Sequence, residues 1–402
     1  MRDMLDIVIV GAGPVGASLA LGLLQHTDLT VALVEAHSPP DNKPPPSFDN
    51  RAVALNAASL QLLQSLGLAL AGASIKHIQV TDAGHMGEVQ LHSDEYQLRA
   101  LGKVVELTEL GHVLHGALRE ADTHCERFTR VHPASVKHCR VEQQSVEVVL
   151  GNDEILHTKL VVHAQGSAHI DDVFGVPAEV TDYQQTAIIA NVDMSQPHAG
   201  WAYERFTENG PLALLPMCEQ HGTNRMSLVW TVSTQQANTL LNDSDAVFMQ
   251  KLQRALGFRQ GIVRHVGKRD AYPLSLKQLQ SVIAHRQIAM GNAAQTLHPI
   301  AGQGLNLGLR DVAALISVLS NQHDCGAHRV LAHYRDARMT DRQRVIGLTD
   351  GLVRMFSNNA LPLTVGRNLG LLGMELLPFL KKRFAYQAMG LNGAMLSGGK
   401  RA

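Results

Sequence analysis

Residues 7–35 constrain this chain more than any other stretch. Ile7-Val8-Ile9-Val10 is a short, apolar, β-branched run, the pattern of a parallel strand buried on both faces. Gly11-Ala12-Gly13-Pro14-Val15-Gly16 follows at once. Ala17 to Gln25 then reads as a helix, with Leu19, Ala20, Leu23 and Leu24 on one side, and Thr30 to Val34 as a second strand ending at Glu35 and Ala36. Strand, glycine turn, helix and strand in this order form a dinucleotide-binding βαβ unit. Gly11 permits the tight turn, Gly13 lets backbone approach a diphosphate, and Gly16 lets helix and strand pack closely. Pro14 sits where a missing N–H costs nothing, and the helix N-terminus offers free N–H groups and a positive dipole end to phosphate. Glu35 is placed to accept from ribose hydroxyls, and an acid there disfavours a 2′-phosphate. The fingerprint alone does not choose between FAD and NAD.

Composition removes several classes. The chain has 402 residues, enough for two or three domains at roughly 100–200 residues each. Its net charge is −1 and aromatic residues make up 4%, so neither a basic field nor a base-stacking surface exists for nucleic acid. Cys125, Cys139, Cys218 and Cys325 form no C-x-x-C pair, which fits a reduced, cytoplasmic protein. The histidines form no zinc-type spacing, and no metal is expected. No secretion signal is read at the N-terminus, and no window of about 18 uncharged apolar residues suggests a membrane-spanning helix.

A second glycine-rich segment lies near residue 300. Ile288-Ala289-Met290 reads as a strand, placing the polar side chain of Asn292 at its C-terminal end. Gly302 and Gly304 allow close backbone approach to a ring, and a helix from about Leu305, through Asn306, aims its positive end there. His298 and Pro299 border this loop, and His298 is a candidate for polarising a group near the ring.

Five segments carry a resemblance: Asp49 to Leu55, Gly291 to Gly308, Glu204 to Thr207, Gly210 to Pro216, and Tyr272-Pro273-Leu274. Together with the N-terminal fingerprint they resemble the flavoprotein aromatic hydroxylases of ubiquinone biosynthesis, along nearly the whole chain. The resemblance implies an α/β fold: a Rossmann-type FAD-binding domain with an inserted, mainly antiparallel β substrate domain and a helical C-terminus. The expected division is residues 1–66, 87–179 and 285–340 for the FAD domain, 67–86 and 180–284 for the substrate domain, and 341–402 for the C-terminal region. The implied cofactor is FAD, contacted by Arg51, with NAD(P)H or another electron donor as reductant. The implied partners are O2 and a polyprenylphenol, the reaction being 2-polyprenyl-6-methoxyphenol to the 1,4-benzoquinol. Leu214 and Pro216 are expected on the wall facing the flavin.

The chain departs from the family pattern in the segment Val161 to His169, where Gln165 replaces an acid and His169 stands where serine is usual, and again at Asn292. Amides keep hydrogen-bonding capacity but lose charge, which bears on the choice of reductant. Leu361 to Leu380, interrupted by Arg367 and Glu375 and followed by Lys381-Lys382-Arg383, reads either as packed helices or as a peripheral contact with the inner face of a membrane. Two other functions fit the motifs: a flavin epoxidase or reductase acting on another isoprenoid, and a flavin-binding, non-catalytic subunit of a ubiquinone-biosynthesis complex.

Overall fold

The computed structural model describes residues 4–37, 51–85, 87–167, 170–220, 222–356 and 377–391. The proline-rich stretch 38–47, Asp49, Asn50, His169, Arg367 and Glu375 lie outside them.

Five strands run parallel in the order Gln287–Ala289, Ile155–His163, Leu5–Val10, Val31–Val34, Phe128–Val131. Alternate residues of the first strand enter different cores, which is why the run is apolar at every position. Ile7 and Ile9 pack with the helices Pro14–His26, Leu107–His124 and Gln303–Leu319. Val8 and Val10 pack beneath the hairpin Val136–Val141/Val146–Leu150. The first helix starts at Pro14 rather than Ala17, with proline in its first turn.

A second sheet is almost wholly antiparallel. Its order is Gln295–Thr296, Asp270–Leu279, Ala178–Met194, Asn224–Ser233, Gly210–Pro216, Trp201–Thr207, His77–Asp82, Glu88–His92, with Val263–Val266 also paired to Ala178–Met194. One face is covered by the helices Thr234–Asn242 and Asp245–Leu256. The other packs on Ile300 and on the long helix His328–Phe356 through Phe206 and Val353. The sheet takes in Glu88–His92, beyond the boundary expected at residue 86. The helix beginning at His328 runs unbroken across the boundary expected at 340, because its inner face packs along Gln303–Leu319.

Among the described residues, three imidazoles are almost entirely enclosed: His115, His163 and His298. Burial is the leading cause that holds each of them down to about 4, against roughly 6.5 in an unfolded chain. Between those values the unfolded chain binds protons that the fold refuses, so stability complete above pH 6.5 is lost as pH falls toward 4. The expected loss at pH 5 is about 2 kcal/mol for each imidazole. Urea unfolding at pH 7.5 and pH 5 checks this, and equal midpoints would contradict it.

Candidate functional site: a cleft between two glycine loops

The two glycine-rich segments meet. Val15, in the first turn of the helix Pro14–His26, lies against both Gly291 and Gly308: a Cβ built on Gly291 would come within 2.9 Å of the Val15 side chain, and one on Gly308 within 2.7 Å. Gly16 is equally constrained, since a Cβ there would collide with the carbonyl oxygen of Gly11. Gly11 itself has φ 101° and faces Gln165, whose Cα would be 2.6 Å from an added Cβ. Strand ends, first helix and second motif are therefore locked by contacts that admit no side chain.

Other positions in the same loops face open space. A Cβ on Gly13 or Gly304 would meet nothing within 4 Å. Gly13 caps the first helix and Gly302, in the left-handed conformation at φ 59°, caps Gln303–Leu319; neither helix has a side-chain cap or an acid in its first turn. Two uncapped, positively polarised helix ends thus open beside glycines that leave room for a ligand, an arrangement suited to anionic and carbonyl oxygen atoms. Near this cleft are buried polar atoms without partners among the described residues, Gln165 Oε1 and His298 Nε2. These features fit an elongated dinucleotide with hydroxyls and ring carbonyls.

The remaining expected residues fall as follows. Glu35 Oε2 accepts from the Ala12 N–H at 2.7 Å and Oε1 from His37 N–H at 3.1 Å, so the acid also braces the glycine turn. Ala36 is exposed just past the strand end. Arg51 lies over the Tyr272 ring at 4.9 Å, tying the start of Ala52–Asn56 to the second sheet. Asn292 is exposed in the turn after Gln287–Ala289. Pro299 precedes the turn Ile300–Gly302, and Leu305 is half-buried in the first turn of the following helix.

Asn306 is buried and fully used. Its Nδ2 donates to Ala54 O and Gly302 O at 2.8 Å, and its Oδ1 accepts from Asn56 N–H at 2.9 Å and Ser59 Oγ–H at 2.7 Å. Its side chain clamps the loop to the strand Ala52–Asn56, leaving main-chain atoms of this turn for a ligand. His298 Nδ1 accepts from Ile300 N–H at 3.2 Å, so its proton sits on Nε2.

The expected wall needs correction. Leu214 is fully buried among Met226, Trp230 and Phe248, under the helices of the outer layer, and Pro216 has the same parity. Tyr203 stands opposite Leu214 on the same face, whereas Phe206 packs toward Ile300. Alternation therefore turns Ala213 and Leu215, not Leu214 and Pro216, toward the cleft side.

Residues not singled out in the sequence support the site from behind. His163 bridges Gln287 Oε1 at 2.8 Å and Gln165 Nε2 at 3.5 Å. Arg342 donates to Gln295 Oε1 and to the Ala294 carbonyl, holding the second motif against the long helix. Among the described residues no group of three or more metal-ligating side chains occurs.

Comparison with known proteins agrees with this geometry. The sequence profile of the FAD binding domain family matches residues 4–349. This chain belongs to that family. Within it, the chain is similar to ubiquinone hydroxylase UbiL of Rhodospirillum rubrum, 34% identical over 395 residues that cover 96% of this chain and 89% of the relative. It is 32% identical to the 3-demethoxyubiquinol 3-hydroxylase of Escherichia coli over 96% of this chain and 98% of the relative. Among solved structures, p-nitrophenol 4-monooxygenase PnpA of Pseudomonas putida superposes with a TM-score of 0.76 at 16% identity, covering 98% of this chain and all of the other. HpxO of Klebsiella pneumoniae complexed with FAD gives 0.72 at 15%, covering 96% and 99%. The fold is that of the FAD-dependent monooxygenases, and the chain is an FAD-dependent aromatic hydroxylase of the ubiquinone-biosynthesis group.

Proposed function

We propose that this chain hydroxylates 2-polyprenyl-6-methoxyphenol to the 1,4-benzoquinol. The observation that carries the reading is the contact of the two glycine loops at Val15, in a chain similar to ubiquinone hydroxylases over 96% of its length. Gly11, Gly13, Gly16 and the first helix end would hold the diphosphate, Glu35 a ribose, Arg51 and Asn292 the remaining polar groups, and the Gly302–Leu305 backbone the ring. Bound FAD, reduced by NAD(P)H or another donor, supplies the activation of O2 and the transfer of one oxygen atom. The protein's share is to position the phenol and keep water out, for which the apolar contacts of Phe206, Ile300 and Val353 beside the cleft are suited.

The test is to delete the gene and identify the accumulated quinone precursor by mass spectrometry, with 18O2 labelling of the purified enzyme's product. Accumulated 2-polyprenyl-6-methoxyphenol and label in a ring hydroxyl support the proposal. A demethoxyquinone precursor would move the reaction to the ring position named for the Escherichia coli relative, and label in an epoxide would replace it with isoprenoid chemistry.

A polyprenyl tail has to reach the cleft from a bilayer. Among the described residues no helix is long and apolar enough to cross a membrane. Leu377 and Phe379 are exposed next to Lys382 and Arg383 on the helix Pro378–Ala388, a combination that suits the surface of an anionic membrane. Wild-type protein is expected to co-sediment with anionic vesicles and Phe379→Glu to do so several-fold less; equal sedimentation would remove the membrane contact from the proposal.

A further inference from the structure

The strand Ala178–Met194 is interrupted where it passes the cleft. Its register against Asp270–Leu279 shifts between Asp182 and Gln185. Gln184 is left-handed at φ 56°, and its N–H is held by the Asp182 carboxylate at 2.8 Å. Bulges of this kind re-aim one side chain out of regular alternation and recur beside active sites. Here Tyr183 and Gln184 form the bulge, and the re-aimed side chain is that of Tyr183. Its ring meets His298 edge-on at 5.7 Å and packs with Phe206, Ile300 and Val353. Its hydroxyl donates to Asp350 Oδ1 at 3.0 Å. The second Asp350 oxygen pairs with Arg354 Nε at 2.8 Å, and the Asp350 side chain is 23% exposed. The chain of contacts runs from the residue preceding Pro299, through a phenol, to a carboxylate open to water, and neither Tyr183 nor Asp350 is among the residues assigned above to FAD.

We propose that Tyr183 and Asp350 carry the phenolic proton of the substrate out of the cleft, an inference that rests on the hydroxylase reading above. The substrate O–H proton passes to Tyr183 Oη as the Tyr183 hydroxyl proton passes to the Asp350 carboxylate, which releases it to water beside Arg354. Only O–H bonds break and form, and no electrons are transferred. The ring is left as a phenolate, whose carbon para to the oxygen is the better nucleophile. Burial, and then the hydrogen bond to Asp350, raise the Tyr183 hydroxyl above its usual range. Tyr183 therefore remains a neutral phenol that accepts on oxygen while it donates. The other groups facing it are Arg354 from the long helix and His298, which burial keeps neutral; Asp182 on its own strand is turned to the Gln184 N–H, and Val80, Phe206 and Ile300 bring no charge.

The experiment uses holoenzyme and a soluble 2-alkyl-6-methoxyphenol. Turnover of the probe by wild type is expected to change little between about pH 6 and pH 8, because the relay removes the phenolic proton within each cycle. Tyr183→Phe is expected to bind the probe within about threefold and to turn over about 100-fold more slowly at pH 7, recovering as pH approaches the pKa of the probe. Asp350→Asn keeps the hydrogen bond but cannot take the proton, so it is expected to show the same pH-dependent loss of rate without altering the packing of the Tyr183 ring. Variants that turn over the probe with the rate and pH profile of wild type would overturn the relay and leave the hydroxylase reading intact. Wild-type holoenzyme that binds the probe and never hydroxylates it would overturn both.

Discussion

Gly13→Val is expected to give a folded, colourless protein. Gly13 has φ −66° and ψ −179°, a conformation open to any residue, and a Cβ there meets nothing within 4 Å. The apo fold therefore has no reason to change. The space that valine fills is the approach to the uncapped first helix, where a diphosphate has to sit. Affinity for FAD should fall by roughly 100-fold or more, about 3 kcal/mol, with the urea midpoint of the apoprotein within error of wild type. Flavin fluorescence titration and denaturation of the same preparations check the two halves. Gly16→Ala makes the contrast, because its Cβ would strike the Gly11 carbonyl oxygen and the loop itself would have to move. A yellow Gly13→Val protein with unchanged affinity would show that the nucleotide lies elsewhere.

Asp311→Ala should be the most destabilising substitution away from the cleft. Asp311 and Arg338 are both buried, and Arg338 Nε donates to Asp311 Oδ1 at 2.7 Å. Arg338 Nη1 and Arg310 Nη1 each reach Asp341 at 2.8 Å, closing a network between the helices Gln303–Leu319 and His328–Phe356. Burial disfavours the Arg338 charge, but Asp311 and Asp341 outweigh it and raise its affinity for the proton. Removing Asp311 leaves a buried cation short of its counter-ion, a loss on the order of 3–5 kcal/mol. Because Arg342 of the same helix holds Gln295 and Ala294, flavin retention should weaken together with stability. Asp311→Leu combined with Arg338→Met should cost less than either single change, and the double-mutant cycle measured by urea unfolding reads the coupling directly. Additive losses would mean that the pair does not act as one unit.

How much of this could be read from the chain depended on range. The N-terminal unit was legible because its constraints are local: three glycines, a proline at the helix start and a strand apolar at every position are geometry written at fixed spacing. The loop from Gly291 to Gly308 was legible for the same reason, and so was the meeting of the two, through a family resemblance. Which face of Gly210–Pro216 points inward was not legible. Both faces are apolar, one for the helices Thr234–Asn242 and Asp245–Leu256 and one for the cleft, so periodicity supplies two equivalent answers. Asn306 looks like a ligand amide in a glycine loop until Ala54, Asn56 and Ser59 are seen around it, some 250 positions away in the chain. Tyr183 and Asp350 are 167 positions apart, and only a bulge brings them together. The helix His328–Phe356 has a weak apolar stripe and carries many charges, several of them buried partners, so its start inside the nominal FAD domain left little mark in the pattern.

The account stands on one nucleotide held beside the junction of Val15, Gly291 and Gly308, at the helix ends capped by Gly13 and Gly302. Wild-type protein, denatured after purification and reconstitution, should release one FAD per chain, identified by mass. No flavin, or a different nucleotide in its place, would contradict it.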